Sequence, residues 1–554
     1  MNDNLFIISI GGTGMRCLES FVHLCAMGMF DGKEINILTI DTDSSNGNKD
    51  RAENLISLYN DIKGSAGKEG GAPNRNTFFS SKLNLYKFST DYTGNRSSFA
   101  KLSKIGDEDV DNRDLADLFL DNDTVQKFDL AHGYRAQTHL GSMLMYNGIV
   151  EAARSAYIKG DDAMPQEKQL REFVIKMQDA AAGARVFIFG SVFGGTGASS
   201  IPVVPRALND AVKIFSEGAN VLNPEQVKFG ASLLTYYFKF PNPDATKKAE
   251  QKVIASASNF SINSQAALEF YRKDPTVKTF YRRLYHVGWP SSMSLDLGGK
   301  LLTGGNNQKN PCHVVELMCA MAAFDFFNQE ELNSDSNQEN MPCYYRTVEA
   351  DDSGTFFKFT PESFTTEYAQ MFREKFAQLF SLSNVVLASE GVAYGKESSG
   401  SEKYGLQDFI WRISQAGNNT FDTLDVNDTK VLEEYLKYFA FSINDKAEIV
   451  PGWIYQLKAS VGGGKFIFRN DAFISNVSEL SRISKHPGTI FEDSEKDKNW
   501  ESKVMGFTSR KTYDNFINDL KNSKESQDQN YSSLKEQFIA YLYNAVRTAH
   551  NFES

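Results

Sequence analysis

Two glycine-rich turns in this chain have the residue types needed to bind an anion through the backbone. The first, Gly11 to Gly14 (GGTG), follows the apolar run Leu5 to Ile10, and the second, Gly190 to Ser200 (GSVFGGTGASS), follows Arg185 to Phe189. Apolar residues at helical spacing follow each turn, so both turns are predicted to join a strand to a helix. Glycine lets the backbone approach a ligand closely, and the N–H groups at a helix start favour phosphate. The sequence therefore predicts a phosphate site.

Two acidic residues follow the second predicted strand, Ile35 to Ile40. Asp41 and Asp43 are candidates to approach Mg²⁺ or its water ligands, because a hard cation prefers oxygen. In dinucleotide-binding folds an acid about 20 residues after the glycine turn binds the ribose. Here the spacing from Gly14 to either aspartate is longer than in those folds. A nicotinamide-dependent enzyme therefore stays open, whereas the P-loop pattern and the protein-kinase motifs are absent.

Predicted strands and helices alternate along the first part of the chain, and they must position these residues. Strands joined by helices predict an α/β fold, with a mostly parallel sheet covered by helices on both faces. The stretch from about residue 44 to residue 130 has a less regular pattern of strands and helices, and it is interpreted as an insertion with some helix. Pro311 to Asn328 has hardly a polar face and is predicted to be a buried helix. We expect a nucleotide-binding domain over 1–340 and a divergent α+β domain over 341–554 that ends in an amphipathic helix.

Composition excludes several other classes of protein. The chain has 59 Lys and Arg against 70 Asp and Glu, a formal charge of −11, which argues against a nucleic-acid-binding body. No apolar run is long enough to span a membrane, and the first residues lack the features of a secretory signal. Five cysteines without CxxC spacing, and scattered histidines, predict reduced thiols and no structural metal site. A cytoplasmic location is expected.

The second glycine turn resembles the signature loop of the tubulin/FtsZ superfamily of GTPases, usually GGGTGSG, with Phe193 in place of the first glycine. The first turn falls where that family has its first phosphate loop, and Asp41 to Asp43 resembles the family's NTDA-type segment. Gly133 to Gly141 (GYRAQTHLG) has the glycine spacing of the FtsZ loop that approaches the terminal phosphate. The resemblance covers residues of about 5–340 and implies GTP or GDP with Mg²⁺ as the ligand.

The resemblance also implies a role for individual residues. Asn263, in a segment similar to the tubulin NEAL motif, and Asn310 and His313, at the start of the long apolar helix, are candidates to contact the purine. Asparagine is equally suited to cap a helix, so a capping role stays open for both asparagines. The implied phosphate contacts are Gly11, Gly12, Thr13, Gly14, Gly133, Arg135, Gly194, Gly195, Thr196 and Gly197.

The hydrolytic loop is where the chain departs from the family. Members that turn over GTP carry NxDxxD or NxDxxE after the central helix, and this loop completes the site of the neighbouring subunit. Here Asp335 fits the first acid, but Gln338 occupies the second position and Glu339 follows one place late. Since Gln cannot accept a proton as a carboxylate does, nucleotide binding is better supported than polymer-coupled hydrolysis. Asp335 and Glu339 are the candidate catalytic residues.

Three functions follow from these features. The chain is most similar to the divergent prokaryotic tubulin-like group, which implies a nucleotide-gated assembly or partner-binding subunit of a bacterial multi-protein system, with weak or conditional GTP hydrolysis. The alternatives are a polymer-forming cytoskeletal GTPase and an NAD-dependent Rossmann-type enzyme. Self-association and a protein partner for the C-terminal half are expected. Nucleic acid is not expected, and any membrane association would run through partners.

Overall fold

The computed structural model describes most of residues 4–332 and separate segments beyond them. The described residues are 4–43, 46–63, 73–90, 98–102, 110–122, 125, 134, 138–180, 183–237, 259–289, 312–332, 342–347, 349–350, 356–359, nine positions between 368 and 383, 426–443, 449–451, 466–469 and 533–549.

A seven-stranded sheet, parallel throughout, organises these residues in the order β3-β2-β1-β4-β5-β6-β7. The predicted α/β class and the parallel sheet are therefore confirmed. The strands are β1 (Asn4–Ile10), β2 (Glu34–Asp41), β3 (Lys82–Ser89), β4 (Ala184–Ser191), β5 (Val227–Leu234), β6 (Tyr281–Val287) and β7 (Cys343–Arg346).

Helices connect these strands and follow the C-terminal segments. They are α1 (Gly11–Ala26), α2 (Gly47–Ile62), α3 (Phe99–Leu102), α4 (Val110–Asp117), α5 (Thr138–Lys159), α6 (Pro165–Gln178), α7 (Gly195–Ser200), α8 (Val204–Phe215), α9 (Phe260–Lys273), α10 (Pro275–Phe280), α11 (Val314–Asn328), α12 (Val426–Ala440) and α13 (Leu534–Ala549). A 3₁₀ turn, Gly160–Asp162, follows α5.

Each face of the sheet has its own apolar core, because successive side chains of a strand point to opposite faces. Leu5 and Ile7 of β1 pack on one face with α1, α2 and α11, while Phe6 and Ile8 pack on the other with α5, α6 and α8. The predicted helices on both faces are therefore present. Helix α11 is buried from Val314 to Phe327, in agreement with its lack of a polar face.

The stretch of about 44–130, expected to be an insertion, supplies two elements of the main fold. Helix α2 packs against α1, and β3 is the edge strand beside β2. Strand β3 was not predicted because Lys82, Asn84 and Lys87 interrupt its apolar residues. An edge strand is paired on one side only, so it carries more polar side chains than the continuous apolar run of a central strand.

Described segments after residue 340 also join this body. Strand β7 extends the sheet beyond β6, and α12 packs against α2. His23 of α1 lies 3.0 Å from the Tyr435 hydroxyl of α12, through its Nδ1 atom. Two small antiparallel sheets complete the described part, formed by β8 (Glu349–Ala350), β9 (Phe356–Phe359) and β12 (Phe466–Arg469), and by β10 (Phe441–Ile443) and β11 (Ile449–Pro451).

Candidate functional site

The first glycine turn begins where β1 ends. Gly11 has φ +66°, in the left-handed region that favours glycine. The first turn of α1, which the structure describes completely, has no acidic residue, and Ile10 at its N-cap provides no side-chain hydrogen bond. A Cβ at Gly14 would lie 2.7 Å from the carbonyl oxygen of Phe189, so α1 packs too close to β4 for a larger residue. The start of α1 is thus held against β4, and its own first turn places no carboxylate at the positive end of the helix dipole.

The second glycine turn folds back onto the end of β4. A Cβ at Gly197 would lie 2.8 Å from both the amide nitrogen and the carbonyl oxygen of Ser191. Gly194, Gly195 and Thr196 are half-buried, so they line the accessible side of the turn. The close packing at Gly197 explains why a glycine is needed there, whereas Gly194, Gly195 and Thr196 stay partly accessible.

The structure brings the two turns into contact. A Cβ at Gly11 would lie 3.2 Å from the Cβ of Thr196 and 3.8 Å from the amide nitrogen of Gly197. Residues of the two turns are separated by about 180 positions in sequence, yet they lie side by side because β1 and β4 are neighbours in the sheet.

The two neighbouring turns lie at a position in the sheet where ligands commonly bind. The strand order reverses between β1 and β4, since β2 and β3 lie on one side and β5, β6 and β7 on the other. In open parallel sheets, ligands bind at the carboxyl ends of the strands, at such a switch point. Both glycine turns follow the carboxyl ends of the two strands that flank it.

A third predicted segment reaches the same place. A Cβ at Gly141 would lie 2.8 Å from the Ser199 hydroxyl, and the Ser142 hydroxyl donates a 2.8 Å hydrogen bond to the Ser199 carbonyl oxygen. The start of α5 is thereby fixed on α7. Gly133 and Arg135, the other residues predicted in this segment, lie outside the described residues.

Polar side chains follow β2 and β3. Asp41 and Asp43 are both buried. The Asp41 carboxylate accepts hydrogen bonds from the Asp43 amide (3.1 Å) and the Asn46 side chain (2.7 Å). Burial raises the pKa of Asp41 to about 6, although the Asp43 amide and the charge of Lys49 act in the opposite direction. Asp41 therefore holds the turn after β2 together.

Two buried hydroxyls lie beside these carboxylates. Thr42 and Thr90 come directly after the paired residues Asp41 and Ser89 of neighbouring strands. Each threonine is buried, at 4% and 7% exposure, and its hydroxyl has no hydrogen-bond partner among the described residues. Buried polar groups normally have a partner, and sequence reasoning missed these two hydroxyls at the β2–β3 end.

His313, predicted to contact the purine, is the N-cap of α11. Its Nδ1 atom accepts a hydrogen bond from the Val315 amide at 3.1 Å, and the Glu316 carboxylate accepts one from the His313 amide at 2.9 Å. Burial, followed by the positive charge of Arg16, lowers the pKa of His313 to about 3. The ring is thus neutral, and its Nδ1 lone pair is used by the helix.

Aromatic rings surround His313 at the ends of β5 and β6. The rings of Trp289 and Tyr237 lie 4.5 Å and 5.0 Å from the His313 ring, between centroids. Phe193, in the second glycine turn, lies 5.3 Å from Phe260. Sequence reasoning missed this cluster, although each ring except Phe260 follows the end of a strand.

The remaining predicted residues are Asn263, Asn310, Asp335 and Glu339. Asn263 is half-buried in the first turn of α9, whose Phe260 and Tyr271 contact the second glycine turn and α7. Asn310, Asp335 and Glu339 lie outside the described residues. The described residues contain no group of three or more His, Cys, Asp or Glu side chains arranged to hold a metal ion.

Comparison of the chain with models of known protein families and with curated proteins gives no match. None of the helices that the structure describes is long and apolar enough to cross a membrane. The fold and the site geometry therefore carry the functional argument.

Proposed function

We propose that this chain binds GTP or GDP, with Mg²⁺, in the cleft between its two glycine turns, and that it acts as a tubulin/FtsZ-like subunit whose assembly or partner binding depends on the nucleotide. The observation that carries the proposal is the contact between Gly11 and Thr196 at the switch point of the sheet. It gives two backbone turns access to one chain of phosphates. Guanine is chosen on the resemblance of the turns to the tubulin/FtsZ superfamily.

The phosphates would be bound by backbone N–H groups of both turns. Gly12 and Thr13 of the first turn and Gly195 and Thr196 of the second are all half-buried, so a ligand can reach them. The threonine hydroxyls add donors, and the dipole of α1 favours negative charge. Asp43 would approach Mg²⁺, directly or through water.

Hydrolysis is proposed to be weak or conditional. Phosphoryl transfer requires mainly that the attacking water is positioned and that negative charge is neutralised. Asp335 or Glu339 of a neighbouring subunit would place the water, as in the tubulin/FtsZ superfamily. The glutamine at position 338, where the family has an acid, makes slow turnover the expectation.

An NAD-dependent enzyme is the second candidate. The strand order around the switch point is also that of dinucleotide-binding folds, and Asp41 is the last residue of β2, where such folds place the acid that binds the ribose. However, both Asp41 oxygens accept hydrogen bonds within their own turn. A polymer-forming GTPase is the third candidate and shares the nucleotide site.

Thermal stability and calorimetric titration with GTP, GDP, ATP and NADH separate these candidates. We expect GTP and GDP to raise the melting temperature and to bind. If NADH alone binds, the dinucleotide enzyme is correct. Sedimentation with GTP then separates a polymer from a discrete subunit.

Thr13→Asp tests the site itself. A carboxylate in the first turn of a helix favours the helix but repels phosphate, so we expect an unchanged or higher melting temperature and about a hundredfold weaker GTP binding. Thr276→Asp, at a half-buried threonine in the first turn of α10, is the matched control and should leave GTP binding unchanged. Tight GTP binding by Thr13→Asp would exclude α1 from the site.

A further inference from the structure

One carboxylate connects three segments around the cleft. The Glu316 side chain, in the first turn of α11, accepts hydrogen bonds from Arg16 Nε (2.9 Å) and Nη2 (3.0 Å) through its two oxygens. It also accepts a hydrogen bond from the Tyr237 hydroxyl at 2.7 Å and one from the His313 amide at 2.9 Å. Glu316 thus joins α1, the residues after β5 and the start of α11.

The Arg16–Glu316 pair is completely inside the protein. The side chains of Arg16 and Glu316 are 2% and 1% exposed. Burial by itself would lower the pKa of Arg16, but the carboxylates of Glu316 and Glu19 raise it above its ordinary value, so the guanidinium stays charged. A buried ion pair is on average no more stabilising than apolar residues of similar volume, because both charges lose their hydration. Its particular property is geometry, since the two parallel hydrogen bonds fix distance and orientation together.

The pair lies next to the proposed phosphate site. Arg16 is two residues beyond Gly14, which packs against the Phe189 carbonyl oxygen. Contact with β4 therefore fixes one side of the start of α1, and Glu316 fixes it from the side of α11. A rotation or axial shift of α1 would break the paired hydrogen bonds and turn the first N–H groups away from the cleft.

We propose that Arg16 and Glu316 are positioning residues for phosphate recognition, setting the rotation and axial position of α1 so that its first-turn N–H groups point at the bound phosphates. This inference rests on the proposed nucleotide function. It adds a determinant of phosphate affinity that does not touch the ligand.

A second buried pair on the same helix provides a matched control. Arg51 of α2 donates a 2.7 Å hydrogen bond from Nε to Glu19, and both side chains are mostly buried, at 5% and 11% exposure. This pair joins α1 to α2 one turn further from the cleft. The control replaces Arg51 alone, because the Glu19 carboxylate also lies 3.9 Å from Arg16 Nη1 and must stay. Removing Arg51 breaks the link to α2 and keeps both carboxylates that face Arg16.

The experiment compares two variants of the full chain, the double variant Arg16→Met with Glu316→Leu and the single variant Arg51→Met. Calorimetry measures the affinity for GTP and for guanosine, and thermal unfolding measures stability. We expect the first variant to bind GTP at least about tenfold more weakly while its guanosine affinity changes less than about threefold, because only the phosphates meet the first turn of α1. The Arg51→Met variant should bind both ligands within about twofold of the unaltered protein.

Three results would overturn the inference. If the unaltered protein binds GTP and the Arg16/Glu316 variant binds it equally well, the pair is only structural and the proposed function stands. If the unaltered protein binds no nucleotide, the proposed function fails, and this inference with it. If the double variant does not fold, Glu316→Gln replaces it, since the amide keeps the shape but not the charge. Unchanged GTP affinity in folded Glu316→Gln then overturns the inference.

Discussion

The carboxyl edge of the sheet has two unlike halves on either side of the glycine turns. Beyond β2 and β3 it is polar, with two buried aspartates and two threonine hydroxyls that have no partner among the described residues. Beyond β5 and β6 it is aromatic, and its polar atoms are used by the fold, as in the cap formed by His313 and the four hydrogen bonds of Glu316. Buried polarity by itself therefore does not mark a ligand site. The contrast is between Thr42 and Thr90, whose hydroxyls have no partner among the described residues, and the Glu316 carboxylate and His313 Nδ1 atom, which the fold uses.

The largest effect is expected from a substitution that removes a ring from the aromatic half. Trp289 is 6% exposed and packs edge-on against His313. We expect Trp289→Ala to lower the free energy of unfolding by about 3–5 kcal/mol, measured by urea denaturation, with a smaller loss for Trp289→Phe. A loss below about 1 kcal/mol would mean that this half is not packed as a core.

The second-largest effect is expected from acid, which should lower the free energy of unfolding through His313 in the aromatic half. The pKa of His313 is about 3 in the folded protein, whereas an unfolded histidine titrates near its ordinary value of 6.5. As the pH falls below about 6.5, protons bind this histidine only in the unfolded chain, so stability decreases by about 1.4 kcal/mol per pH unit. His313→Asn keeps a capping side chain and removes the titration. The stability of this variant should therefore improve relative to the unaltered protein by that amount per unit between pH 6 and 4. A pH-independent difference would contradict burial of the neutral ring.

Asp43→Asn tests the polar half as a cation site. We expect GTP affinity in the presence of Mg²⁺ to fall about tenfold, or 1.4 kcal/mol, because a carboxylate near the ion is lost. Affinity measured with a chelator should not change. Equal losses with and without Mg²⁺ would show that Asp43 acts on the fold or on the phosphates instead.

The smallest expected effect concerns the threonine hydroxyls of the polar half. Thr42→Val and Thr90→Val should each raise the free energy of unfolding of the ligand-free protein by about 1 kcal/mol, because a buried hydroxyl with no partner in the described part of the chain is replaced by a methyl group. Thr39→Val is the matched control on β2, since the Thr39 hydroxyl donates a 2.7 Å hydrogen bond to Glu53. It should be destabilising. Destabilisation by all three substitutions would mean that Thr42 and Thr90 are already satisfied, and the contrast between the halves would disappear.

Local patterns in the sequence predict most of the central sheet. The apolar runs of β1, β2 and β4 are buried on both faces, which is why they are recognisable, and a helix follows the glycines after β1 and β4. Strand β3 was missed because its polar residues interrupt the pattern. The position of both turns at the switch point requires the strand order, which periodicity does not contain.

The candidate site was predictable only where its residues are contiguous. The glycines and the aspartates were found by their spacing. The pair of Arg16 and Glu316 joins residues 300 positions apart, and no local pattern connects them. Glu316 does follow His313 at the spacing of a capping box, so the cap could have been predicted, but its link to α1 could not.

Hydrogen exchange of the backbone amides with and without GTP and Mg²⁺ tests the central claim most directly. If both glycine turns bind one chain of phosphates, the amides of residues 12–14 and 195–197 should become protected together and over the same range of GTP concentration. Guanosine without phosphates should protect neither set. Protection of one turn alone, or of neither at a GTP concentration that saturates binding, would contradict a shared phosphate site.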